Sequence, residues 1–144
     1  MNAVAVLREV ERTVTDLDQK EAEAACKADL EALATSSPYW EANIYTYDAG
    51  RFACIDLNKI QVRRDAPPGT GTDFIRKLQD IAKRYGRYIT LTPGSRDDSD
   101  RKDRIWKQTT SSNRLKAWYS RLGFRRNAAK GLFQLRGYFH WSPK

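Results

Sequence analysis

The clearest pattern of apolar positions lies in the middle of the chain and predicts an amphipathic helix. Its members recur three and four residues apart and form one stripe: Phe74, Ile75, Leu78, Ile81, Ala82 and Tyr85. Gly86 follows at the position of a left-handed residue that ends a helix. A turn, Gly69 to Thr72, links this helix to a strand-like run at Ile60–Val62. The middle of the chain is therefore predicted to be strand, glycine turn and helix.

The N-terminal part, from Ala3 to about Leu33, is also helical in pattern. Two apolar runs carry it: Leu7, Val10, Val14 and Leu17, then Ala22, Cys26, Leu30 and Leu33. One long helix and two helices with a break near Asp16–Asp18 both fit. A polar loop, Thr35 to Pro38, ends the helical region.

The next region, Trp40 to Arg63, is rich in β-branched and aromatic residues and predicts antiparallel strands. Asp48–Gly50 is the predicted hairpin turn. Ile60 and Val62 are out of phase with Leu57 in a strand of period two. Either a tight turn lies at Leu57–Lys59, or one long strand has a bulge there.

The C-terminal third predicts a short strand at Arg87–Thr92, a charged loop at Gly94–Arg104 and a second short helix. Ser112 is the predicted N-cap of that helix and Gly123 its end. The tail predicts a hairpin that turns near Ala128–Gly131. The whole pattern predicts one α/β domain over residues 1–144, with a mixed sheet flanked by helices and a helical N-terminus.

Composition adds the class of partner and the compartment. The chain has 144 residues, with 26 Lys and Arg against 18 Asp and Glu, a formal net charge of +8. Such a charge favours nucleic acid, a polyphosphate cofactor or an acidic protein. The two cysteines, Cys26 and Cys54, form neither a disulfide framework nor a metal-ligand cluster, so no metal site is predicted. No signal peptide or membrane span is visible, and we expect a cytoplasmic protein without a membrane partner.

Two separated motifs resemble the cofactor motifs of the GCN5-related N-acetyltransferase (GNAT) superfamily, especially its small phage and prophage members. The family turn reads Q/R-x-x-G-x-G/A, and APPGTG at 66–71 carries both glycines. The second motif, N-x-x-A-x-x-x-Y-x-x-x-G-F, matches SNRLKAWYSRLGF at 112–124, with Ser112 at the Asn position. The resemblance covers roughly Phe52 to Phe139 and implies a GNAT-like fold.

The resemblance implies an N-acetyltransferase that moves an acetyl group from acetyl-CoA to a primary amine. Tyr119 holds the position of the acid that protonates the departing thiolate, although a core aromatic residue fits the same stripe. The residues that would hold acetyl-CoA are Ile60, Gln61, Val62, Arg64, Gly69, Thr70, Gly71, Thr72 and Ser112. The backbone N–H groups at the start of a helix attract phosphate, and an open strand edge suits the pantetheine amides.

The sequence also departs from the family. Ala66 replaces the usual Gln or Arg, and Pro67 and Pro68 have no backbone N–H to offer a pyrophosphate. A catalytically weak GNAT-fold protein that acts by protein contact is therefore an alternative. A nucleic-acid binder is a third interpretation, which arginines and aromatic residues interleaved in the tail support. The acceptor amine, its general base (Glu41, Asp48 or Asp56) and the choice between monomer and homodimer stay open.

Overall fold

The computed structural model describes residues 3–93, 106, 112–127, 135 and 137–144, and not the side chains of residues 3–17 and 112. These residues form an α/β structure with a five-stranded mixed sheet and three helices. The elements, in chain order, are α1 (Ala3–Thr35), β1 (Trp40–Ala49), β2 (Phe52–Val62), α2 (Thr70–Tyr85), β3 (Tyr88–Leu91), α3 (Ser112–Arg121), β4 (Arg125–Arg126) and β5 (Phe139–Trp141).

The sheet has the strand order β1-β2-β3-β5-β4. Only β2 and β3 are parallel, because α2 connects them, and the other neighbours are antiparallel. The last strand in sequence therefore lies between β3 and β4. The predicted turn at Ala128–Gly131 and the charged loop at Gly94–Arg104 fall outside the described residues.

The N-terminal region is a single helix, which decides between the two alternatives of the sequence. Its second apolar run contributes Cys26, Leu30 and Leu33 to the core, whereas Ala22 is exposed. The Nε1–H of Trp40, at the start of β1, donates to the carbonyl of Leu33 over 2.9 Å. This bond joins the end of α1 to the first strand.

The strand β2 is one continuous strand with a bulge, not two strands with a turn. Lys59 pairs with Asn43 and Leu57 with Ile44, so Asn58 is the extra residue. The extra residue brings Ile60 back to the apolar face, where it packs against the core beside Ala42. The hairpin turn is Gly50–Arg51 and begins two residues later than predicted, because Asp48 and Ala49 are still paired.

The helix α2 confirms the predicted stripe. Its buried residues include Phe74, Ile75, Leu78, Ile81 and Ala82, and they pack with Ile55, Leu57, Ile89 and Leu91 of the sheet. Gly86 ends the helix in the left-handed conformation, with φ 64°. The hydroxyl of Tyr85 donates to Asp29 over 2.7 Å and ties α2 to α1.

Within the described part of the chain, no helix is long and apolar enough to cross a membrane. The same residues contain no group of three or more side chains that could hold a metal ion. Cys26 and Cys54 are both buried and free.

Candidate functional site

The site starts where β2 separates from β3. Parallel pairing between these strands covers three residue pairs and ends at Asp56 and Thr90. The strand β2 continues to Val62, beyond the last β3 residue, Leu91. This extension contains Ile60, Gln61 and Val62, which the sequence assigns to the pantetheine arm. Farther on, Arg63 forms a single antiparallel bridge with Trp106.

The start of α2 offers backbone donors. Gly69 is left-handed, with φ 85°, and no side chain caps the helix. The N–H of Asp73 donates to the carbonyl of Gly69, as in a regular first turn. Among the described residues, the N–H groups of Gly69, Gly71 and Thr72 have no backbone acceptor. Three unpaired donors at the positive end of a helix form an anion site in principle.

Thr70 differs from its neighbours in this turn. Its N–H and its hydroxyl both donate to the carbonyl of Pro67, over 3.3 and 2.7 Å. The sequence assigns all four residues from Gly69 to Thr72 to acetyl-CoA, whereas the structure leaves three of their backbone N–H groups without a backbone acceptor. The Pro67 carbonyl holds the fourth because Pro67–Thr70 forms a β-turn, in which the first carbonyl accepts from the fourth N–H and Pro68 and the left-handed Gly69 take the central positions.

The two arginines before the turn have different partners. Arg63 donates two bonds to Asp65, over 2.9 and 3.1 Å, and this contact lowers the pKa of the Asp65 carboxyl. The Nε–H of Arg64 donates to the carbonyl of Trp106 over 3.0 Å. That acceptor is uncharged, so Arg64 keeps its full positive charge beside the loop. Ala66, at the family's Gln or Arg position, is buried and brings no charge.

The helix α3 packs against the start of α2 through Trp118, which is not among the site residues predicted from the sequence. The Nε1–H of Trp118 donates to the hydroxyl of Thr72 over 3.2 Å. A Cβ added to Gly71 would lie 3.6 Å from the indole ring and 3.7 Å from Val62. Trp118 therefore joins three parts of the site. The signal in the sequence is its position directly before Tyr119.

Tyr119 lies on the same helix and is 5% exposed. Its ring packs against Trp118, Phe124 and Phe139, with centroids 4.8, 5.4 and 6.5 Å away. Burial raises the pKa of its hydroxyl well above the ordinary value. No hydrogen bond of this hydroxyl is found among the described residues, and an unpaired buried hydroxyl costs about 1–3 kcal/mol. Tyr119 thus has a protonated donor without a partner among the described residues, one residue after Trp118, the residue of α3 that contacts the start of α2. Ser112, the other predicted α3 contact, is the first residue of the helix and not its N-cap, and its side chain is outside the described part.

The three candidate carboxylates lie in different surroundings. Glu41 is exposed on β1, 3.5 Å from Lys59, and Asp48 is exposed near the hairpin. Asp56 is 8% exposed and accepts a 2.8 Å bond from the hydroxyl of Thr90. The Thr90 hydroxyl also lies 2.8 Å from that of Tyr47. Asp56 is therefore the one buried carboxylate of the three, and its hydrogen bonding is internal.

The single histidine lies on the neighbouring strand. His140 pairs with Thr90 in the sheet, and its Nδ1 is hydrogen bonded to the side-chain amide of Asn127. Burial lowers the pKa of His140, and the charge of Arg125 lowers it further. The ring is fixed by its contacts within the sheet. It is not brought to Tyr119 or to the glycine turn by any described contact.

Comparison of the whole chain with known protein families, with curated proteins and with solved structures finds no match. The resemblance of its two motifs to the GNAT superfamily therefore stays a prediction.

Proposed function

We propose that the chain is an acetyl-CoA-dependent N-acetyltransferase with a GNAT-like fold. The observation that carries the proposal is the Tyr119 hydroxyl, which is buried and without a partner among the described residues. Buried polar groups in folded proteins nearly always have hydrogen-bond partners, and a catalytic role is one of the explanations for an exception. Tyr119 follows Trp118 on α3, and the indole of Trp118 is hydrogen bonded to Thr72 in the first turn of α2, where the unpaired N–H groups lie.

The pyrophosphate and the pantetheine arm of acetyl-CoA each have candidate partners in the protein. The pyrophosphate would accept bonds from the N–H groups of Gly69, Gly71 and Thr72, with Arg64 as the nearby positive charge. The pantetheine amides would pair with the open part of β2 at Ile60–Val62, as an added strand does. This placement directs the thioester toward the point where β2 leaves β3.

The reaction is a direct acyl transfer. The neutral amine attacks the thioester carbonyl, a C–N bond forms and the C–S bond breaks. The departing sulfur accepts a hydrogen bond from the Tyr119 hydroxyl, and the proton that the amine loses passes to the sulfur or to solvent. Because burial holds the pKa of Tyr119 above that of a thiol, about 8.5, the hydroxyl stays protonated at neutral pH. It is therefore available as the donor in every cycle.

Acetyl-CoA binding is the experiment that tests this function. A ligand that binds only the folded state stabilises it by about 2.7 kcal/mol at 100 times its dissociation constant. We expect the melting temperature to rise with acetyl-CoA concentration in differential scanning fluorimetry. Gly71→Val should reduce this rise, because the added methyl groups press on the Trp118 ring, whereas Gly71→Ala fits beside it. An unchanged melting temperature at millimolar acetyl-CoA would remove the proposed activity.

The second candidate is a GNAT-fold protein that binds acetyl-CoA weakly and acts by protein contact. Its support is local. Pro67 and Pro68 have no N–H, the N–H of Thr70 is bonded to Pro67, and Ala66 is buried and uncharged. The same fluorimetry separates the two functions, since this candidate predicts no stabilisation by acetyl-CoA.

A further inference from the structure

The net positive charge of the chain comes entirely from its C-terminal part. From Arg104 to Lys144 there are ten Lys and Arg and no Asp or Glu. The first 103 residues contain the other 16 basic residues and all 18 acidic ones. The net charge of +8 is thus the sum of +10 in the last 41 residues and −2 in the rest. A division this sharp indicates a partner of negative charge for one region of the molecule.

The fold places part of this charge at one edge of the sheet. The strand β4 is the edge strand opposite β1, and both of its residues, Arg125 and Arg126, are exposed. Arg121, also exposed, ends α3 immediately before it. Lys116 of α3 and Arg126 of β4 both lie over the ring of Tyr138, 4.6 and 5.0 Å from its centroid. We call Lys116, Arg121, Arg125 and Arg126 the cationic edge.

No described acidic side chain neutralises the cationic edge. The ion pairs elsewhere in the described chain join Lys27 to Glu23, Lys77 to Asp73 and Arg84 to Asp29, among others. Lys116 and Arg126 instead converge on one ring, which attracts a cation by about 0.5–1 kcal/mol at exposed sites. Two like charges on one ring also repel each other, and a bound anion would offset that repulsion.

We propose that the cationic edge binds the phosphate backbone of nucleic acid without reading its sequence. Three of its four cations are arginines, whose planar guanidinium matches phosphate oxygens in pairs. The one aromatic ring among them is already in contact with Lys116 and Arg126, so it is not a platform for bases. For the same reason the edge lacks the accessible aromatic anchor on which protein interfaces depend. This binding is independent of acetyl transfer.

The test is the salt dependence of binding to a short fluorescein-labelled oligonucleotide of arbitrary sequence, single-stranded and duplex, by fluorescence anisotropy. We expect log K to fall linearly with log salt concentration for the wild-type protein. The double variant K116Q/R126Q should lower the magnitude of this slope by about two, since each lost phosphate contact removes about one. Excess acetyl-CoA should leave the slope unchanged.

Two double variants serve as controls. K20Q/K83Q removes the same charge from exposed positions on α1 and α2 and should keep the wild-type slope. K116R/R126K keeps the charge at the edge and should also keep it, which separates loss of contact from loss of fold. Absence of binding at low salt overturns the proposal. So does an equal loss in K20Q/K83Q, or displacement of the oligonucleotide by polyglutamate at matched charge, which would assign the edge to acidic proteins.

Discussion

A set of polar side chains on the sheet and a single buried hydroxyl on α3 differ in whether they have hydrogen-bond partners within the protein. On the sheet, Asp56, Thr90 and Tyr47 form a chain in which each residue has a hydrogen-bond partner at 2.8 Å. On α3, the hydroxyl of Tyr119 is as deeply buried and has no partner among the described residues. The group on the sheet lies where the pairing of β2 with β3 ends. Tyr119 lies on α3, which contacts the start of α2 through Trp118.

The presence or absence of a hydrogen-bond partner distinguishes a structural role from a catalytic one. A buried network whose members are all paired stabilises and specifies the fold, and it has no donor left for a ligand. An unpaired buried hydroxyl destabilises the free protein, and this cost in free energy is offset only when a bound group accepts its hydrogen bond. We therefore propose that Asp56, Thr90 and Tyr47 belong to the scaffold and that Tyr119 acts in the reaction.

The largest effect is expected for Tyr119→Phe on turnover. The variant keeps the ring among Trp118, Phe124 and Phe139 and removes only the donor. Loss of a proton donor typically costs about 10²–10⁴-fold in rate, and we expect the release of free thiol from acetyl-CoA to fall by about this factor. Until an acceptor is known, acetyl-CoA hydrolysis above the uncatalysed background serves as the assay.

The matched control is Tyr85→Phe. Its hydroxyl is bonded to Asp29 and lies far along α2, so this variant should lose some stability and keep its rate. Tyr119→Phe should do the reverse, with unfolding free energy unchanged or slightly raised. Equal rates for Tyr119→Phe and wild type would mean that Tyr119 is only a core residue.

The next effect concerns stability, on the sheet. Thr90→Val keeps the shape of a side chain that is 0% exposed but leaves the Asp56 carboxylate without its donor. We expect a loss of about 1–3 kcal/mol in the unfolding free energy, measured by urea denaturation. Thr90→Ser keeps the hydroxyl and should lose less. A smaller loss in Thr90→Val than in Thr90→Ser would show that the methyl group, and not the hydrogen bond, matters here.

The smallest effect is the part of the alkaline pH dependence of stability that Tyr119 contributes, beside the smaller contributions of Tyr85, Cys26 and Cys54, whose pKa values are also raised. Its pKa is raised in the folded state, so the folded protein holds this proton above pH ~10, where an unfolded tyrosine loses it. The stabilisation is complete below pH ~10 and declines as pH rises, by at most about 1.4 kcal/mol per pH unit. Urea denaturation of wild type and Tyr119→Phe across this range should show a steeper decline in wild type, because the variant keeps only the contributions of Tyr85, Cys26 and Cys54. Parallel curves would contradict the assignment of this pKa.

Much of the fold follows from the sequence because it depends on local periodicity. The stripe from Phe74 to Tyr85 predicts α2, and Gly86 predicts its end, since both are properties of one helix. The phase change after Leu57 predicts an irregularity there. Whether that irregularity is a turn or a bulge depends on the pairing of Lys59 with Asn43, which is a contact between strands.

The site was less accessible to sequence reasoning because its decisive contacts are between elements. The bond from Trp118 to Thr72 joins residues of two helices, and no local pattern specifies it. Thr70 shows the same limit, since its bond to Pro67 depends on the path of the turn. The burial of the Tyr119 hydroxyl without a partner requires the positions of Phe124 and Phe139 as well.

The most direct test of the proposed acetyl-CoA site at the start of α2 is an amide NMR titration with acetyl-CoA. The N–H groups of Gly69, Gly71 and Thr72 should shift on binding, because phosphate oxygens become their acceptors. Gly50 and Gly86, which lie at the hairpin turn and at the far end of α2, should keep their positions and serve as internal references. Tyr119→Phe should reproduce the glycine-turn shifts, since it leaves the phosphate site intact. Saturation with acetyl-CoA that leaves Gly69, Gly71 and Thr72 unshifted would contradict the account.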